Sequence, residues 1–172
     1  CRQIVDAATS LISNGFAPTF GAAWDSNPYA QQWSLVEGQP PTNKKEVVMD
    51  VVTAENHNFS VGDRVTVLAG ATPASFTIVG IAEFANVGAP GGATFALFEF
   101  RTAQALLDSK GEVDLINVVI ENNFDINDVK NDITNLDSEN LNVINAQEAA
   151  AEQADSIKQG LDFFNTILNV CL

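Results

Sequence analysis

The sequence is most informative at first for what it lacks. Among 172 residues there is one histidine, one methionine, one tyrosine and two cysteines. The cysteines, Cys1 and Cys171, sit at opposite ends, with no CxxC and no Cys/His cluster. That excludes a disulfide framework and a zinc site of the usual spacing. Basic residues are also scarce: 8 Lys and Arg stand against 22 Asp and Glu, a net charge of −14. Phosphate backbones repel such a surface, so nucleic acid is excluded as a partner. Anionic lipid headgroups repel it too, so any membrane link has to be apolar rather than electrostatic. There is no run of about 18 apolar residues, the length a membrane-spanning helix needs.

Catalytic constellations are missing as well. The sequence contains no HExxH, no GxSxG and no phosphate-binding GxxxxGK[ST]. The lone His57 cannot be joined to a serine and an aspartate by spacing, and reads as a surface or capping residue. The glycines of residues 88–92 lack the Lys-Ser/Thr of a phosphate cradle and read as a turned loop. Asp125 and Asn127 fit the first two ligands of a calcium loop, but Val129 stands where the third belongs and Lys130 where glycine belongs. The segment reads instead as an acidic helix start, capped by Asp125 and helped by the helix dipole. Trp24, Tyr29 and Trp33 read as core and loop anchors before a carbohydrate or peptide platform. The expectation is therefore no catalytic residue, no cofactor and no metal. Cys1 and Cys171 leave three readings open: a terminal disulfide, two free thiols, or a lipidated amino-terminal cysteine.

What is present is enough apolar sequence for a core: 46% of residues are hydrophobic and 17% charged. Residues 2–6 read as a strand and residues 7–32 as loop, punctuated by Asn14-Gly15, Pro18 and Asn27-Pro28. Strands are expected at residues 33–37, 46–50, 61–68, 76–84 and 95–100, from their alternating or continuous apolar runs. A short helix is expected at 51–57 and another at 101–108. Residues 113–121 and 141–145 read as strands around a helix from Asp125 to about Leu136. Strands crowd the first part and strand–helix–strand–helix follows, so the fold class is α+β. It is read as a β-rich lobe, residues 16–100, inserted into a small α/β lobe made of residues 1–15 and 101–146.

From residue 147 onward the pattern is one long helix. Ala150, Ala154, Ile157, Leu161, Phe164, Leu168 and Cys171 recur at alternating intervals of four and three. That is an a/d seam, and it predicts packing against another helix, of the same chain or of a second copy. The sequence stops within this apolar pattern, which reads as a stalk leading toward something more hydrophobic.

Several stretches in order resemble a known family. Leu35-Val-Glu-Gly, Pro40-Pro41 and Glu46-Val-Val-Met-Asp50 resemble the L-x-E-G-R-x-P and E-V-V-[ILM]-[DN] segments of FtsX/MacB-like permease ectodomains. Val61-Gly-Asp-Arg-Val-Thr-Val67 and Phe76-Thr-Ile-Val-Gly-Ile81 resemble their next two strands. Gly91-Gly-Ala-Thr94, Ala103-Gln104 and Val113-Asp114 resemble the actinobacterial branch. The series runs from about residue 17 to 153, and no single motif in it is specific. These are scaffold residues rather than catalytic ones.

The resemblance implies an extracytoplasmic domain of an ABC-transporter permease in the cell membrane, with a split β-α-β lobe resembling porter domains. The expected first strand and helix of that lobe do not precede residue 2, which leaves the lobe incomplete on its N-terminal side. Residues 2–6 are then expected to pair with a strand from beyond residue 113. The partners implied are the permease's own membrane helices, an ATP-binding subunit reached through the membrane part, a second copy of the chain, and an unknown substrate or extracellular protein. Rival readings are a module that activates or senses a cell-wall hydrolase, a secreted or anchored adhesion domain, and an unrecognised hydrolase.

Overall fold

A computed structural model describes residues 3–6, 11–12, 18–69, 72–85, 93–136 and 141–149. The fold is α+β. Eight strands form a mixed sheet: β1 (Gln3–Asp6), β2 (Leu11–Ile12), β3 (Thr19–Ala23), β4 (Trp33–Gly38), β5 (Glu46–Asp50), β6 (Arg64–Leu68), β7 (Ala74–Phe84) and β8 (Thr94–Phe98). Accompanying them among the described residues are α1 (Val51–His57), α2 (Phe100–Leu106) and α3 (Ile126–Leu136). The chain divides into two compact units, Cys1–Val118 and Val119–Leu172. The first unit holds the whole sheet.

The sheet order is β2-β1-β6-β7-β5-β8-β3, with β4 also paired to β7. The long strand β7 organises it. One edge pairs in parallel with β5, from Thr77 to Ala82. The opposite edge is shared: Ala74–Thr77 pairs antiparallel with β6, and Gly80–Phe84 pairs antiparallel with β4. The changeover falls at Val79 and Gly80; Val79 is an extra residue of β7 opposite β5, and nearby, opposite Ile81 and Ala82, β4 carries the extra residue Val36. Such bulges bend and twist a strand. Gly80 lets the two backbones meet: a Cβ there would lie 2.6 Å from the Gln39 carbonyl oxygen and 2.9 Å from Leu35 Cδ2. Gly38, at φ +79°, makes the matching turn out of β4, and a side chain there would collide with the Val79 carbonyl.

Alternation along the strands divides the core between two faces. Val47, Met49, Val65, Val67, Phe76, Ile78, Ala96 and Phe98 form the larger cluster, closed by Ala103 and Leu106 of α2 and by Phe59. Phe76 and Phe98 meet edge to face at 5.0 Å. Val48, Ala82 and Leu97 point to the other side, where Ala22, Trp24, Trp33 and Val79 pack on them.

Three sequence expectations are corrected here. Residues 3–6 pair with no late strand among the described residues; β1 pairs antiparallel with β2 and β6. Two strands, β2 and β3, lie where a loop was expected. Residues 113–121 and 141–145 form no strand, and Leu115 and Ile116 are 71% and 67% exposed. A β-branched run becomes a strand only when a neighbouring backbone pairs with it, and none of the described residues does so here.

Candidate interaction surfaces

The turn from β5 into α1 is tied by one buried carboxylate. Asp50 is fully buried and caps α1, its Oδ1 accepting from the Thr53 N–H at 2.8 Å. Its Oδ2 accepts from the Phe95 N–H at 2.7 Å, which fastens the end of β5 to β8. The Thr53 hydroxyl donates to the Thr94 hydroxyl at 3.2 Å beside it. Both oxygens of Asp50 are engaged by the scaffold, so its work is structural.

Beyond the end of β5, four aromatic rings line the smaller face in sequence. Phe20 meets Phe95 at 5.2 Å, Phe95 meets Trp33 at 5.1 Å, and Trp33 meets Phe84 at 5.3 Å. Phe20, at the outer strand, is 46% exposed. Trp24 and Trp33 are thus core anchors, as expected, while Tyr29 stands 84% exposed. His57 ends α1 with its ring stacked on Phe59 at 5.9 Å, a packing role. Among the described residues no group of three His, Cys, Asp or Glu is placed to hold a metal ion. No helix among them is long and apolar enough to cross a membrane. A shallow, open depression lies at Gly38, Gly62 and Ile78, where β4 leaves β7 and β6 joins it.

The second unit has a different kind of order. Asp125 caps α3 as expected, accepting from the N–H groups of Asn127 at 2.8 Å and Asp128 at 3.3 Å. Residues 146–149 are helical, at the start of the long helix read from the sequence. A reciprocal capping box fixes that start. The Glu148 N–H donates to Asn145 Oδ1 at 2.9 Å, and the Asn145 N–H donates to Glu148 Oε2 at 2.9 Å. Lys130 of α3 donates to both oxygens of Glu148, at 2.8 and 2.6 Å, an ion pair that binds the helix start to α3. The Lys130 ammonium, then the Asn145 N–H, hold the Glu148 carboxyl below its ordinary pKa. From the sequence Lys130 stood out only as a departure from a calcium loop, and Asn145 and Glu148 not at all; the N-x-x-E spacing of residues 145–148 was the available signal. The seam residues Ala150, Ala154, Ile157, Leu161, Phe164, Leu168 and Cys171 lie outside the described residues, as do Cys1 and the glycines of 88–92.

Comparison with curated proteins and with solved structures gives no match. The model of the MacB-like periplasmic core domain matches residues 3–136. That range spans the eight described strands, α1, α2 and α3, and every sheet-forming motif quoted from the sequence. The chain belongs to the MacB-like periplasmic core domain family, the extracytoplasmic, non-catalytic part of ABC-transporter permeases.

Proposed function

We propose that the domain couples movement of the permease's membrane helices to the handling of a substrate or protein partner outside the membrane. ATP is hydrolysed on a separate nucleotide-binding subunit or domain. The terminal helix is the lever, and its Ala150, Ala154, Ile157, Leu161, Phe164, Leu168 and Cys171 seam packs on a neighbouring helix on the way to the membrane.

The observation that carries this reading is the root of that helix. A lever passes on force only if its end is fixed, and a capping box with an ion pair to α3 supplies that fixture. The family assignment supports the setting. A two-state coupling follows when the two positions of the helix differ in what the outer domain binds.

The test uses the permease assembled with its ATP-binding subunit. A fluorescent amino acid replaces the exposed Lys44, and its distance from a membrane probe is followed with and without nucleotide. The expected result is a nucleotide-dependent change that Leu161→Asp and Phe164→Asp abolish while ATP hydrolysis persists. No change in the parent, or the same change in both variants, contradicts the proposal.

A further inference from the structure

Among the described residues three strands of the sheet have an outer edge, and two of them discourage pairing. β2 is only two residues long. β4 carries a bulge at Val36 and the charge of Glu37. Short length, bulges and charge are the usual protections of a sheet edge. β3 has none of them. It runs Thr-Phe-Gly-Ala-Ala in unbroken register with β8, and no charged residue lies between Pro18 and Trp24.

The hydrogen-bond phase of β3 is fixed at both ends. The Thr94 N–H donates to the Pro18 carbonyl at 3.0 Å, and the Trp24 N–H donates to the Phe98 carbonyl at 2.8 Å. In a parallel pair alternate residues bond to the neighbour. Phe20 and Ala22 therefore face β8, while Thr19, Gly21 and Ala23 turn their N–H and C=O groups to the open edge. Those groups have no partner among the described residues.

From this we infer that β3 pairs with β3 of a second copy of the chain, antiparallel about a two-fold axis at Gly21, and so joins two sheets into one. The strand is self-complementary in that register. Gly21 exchanges both bonds with Gly21 of the partner subunit, and Thr19 exchanges both with the partner's Ala23. The same pair recurs on the other side of the axis, so every outward group of both strands is satisfied. Between the bonded pairs Phe20 comes opposite the partner's Ala22, a large ring over a small side chain, which covers the half-exposed phenylalanine. Asp25 lies beyond the paired stretch, so like charges do not oppose one another across the seam. The inference does not depend on the lever reading, since it concerns only the sheet unit.

Each copy carries a net charge of −14, so salt strengthens the association by screening. The test is sedimentation of the 172-residue chain over a range of protein and salt concentrations, with amide hydrogen exchange read at single residues. A dimer is expected that grows with salt, in which the Thr19, Gly21 and Ala23 amides gain protection while Phe20 and Ala22 are protected in both states. Gly21→Pro removes the central donor at an edge position where a sheet accepts proline, and dimerisation should be lost. Should that variant fail to fold, the exchange pattern of the parent decides. A chain that stays monomeric throughout, or a dimer in which those three amides gain no protection, overturns the inference.

Discussion

The two units hold themselves together by different means. In the sheet unit Val47, Val48, Met49, Val65, Val67, Ile78, Ala82, Ala96 and Leu97 are wholly shielded from solvent. In the other unit α3 has no buried residue, and its described order comes from the Asp125 cap, the Asn145–Glu148 box and one ion pair. Burial is cooperative and strong, because each large side chain contributes about 1.5–3 kcal/mol. Caps contribute about 1 kcal/mol each, and exposed ion pairs less. The sheet is therefore expected to behave as a body and the α3 region as an element that opens more readily.

Substitutions that strike each kind of order should give effects of matching size. Phe98→Ala removes a ring that packs on Phe76 in the larger cluster, and should lower unfolding stability by about 3–5 kcal/mol in urea titration. A loss below about 1 kcal/mol would mean that the cluster is not the core of the unit. Asp50→Ala should cost about 2–3 kcal/mol, because it removes the α1 cap and leaves the partly buried Phe95 N–H without its acceptor. Its particular sign is faster amide exchange at Phe95 as well as at Thr53, two positions far apart in sequence.

Asp125→Ala should act on α3 alone. The expected loss is about 1 kcal/mol of local protection across residues 126–136, with the urea midpoint of the sheet unit unchanged. The smallest effect concerns acid. The Arg101 N–H, with the Thr102 hydroxyl and N–H, holds Glu99 below its ordinary pKa of 4.5, and the Thr42 N–H does the same for Glu46. A carboxylate whose pKa is lowered by folding stabilises the fold fully above its ordinary value. That contribution is lost as pH falls through the folded value. Stability should thus decline below about pH 4.5, and Glu99→Gln should make the decline shallower. An unchanged slope would show that the α2 cap does not feel the charge.

The sequence made the central strands and the helices readable and the periphery much less so. β5 and α1 fall within the bounds expected, because an apolar run followed by the capping Asp50 is a purely local signal. β7 was legible as a central strand because it is apolar on both faces. β3 was hidden by Gly21 and by the turn signals around it; it is a strand because β8 supplies a parallel neighbour distant in sequence. Residues 113–121 mislead in the reverse sense, being rich in Val and Ile without a pairing backbone among the described residues. Pairing is a long-range property, and alternation records only the capacity for it. The family was recognisable because its motifs lie in the strands and turns that the sequence shows most clearly. The fixture at Lys130, Asn145 and Glu148 needed the fold, since it joins residues 18 apart.

Native-state hydrogen exchange across the folded chain tests the contrast most directly. The amides of β5, β7 and β8 should exchange only through global unfolding, at one shared free energy. Those of α3 should exchange through a lower-energy opening that Asp125→Ala makes easier and Phe98→Ala does not. If α3 amides exchange only together with the sheet, at the same free energy, the chain is one cooperative body and the contrast between the two units is wrong.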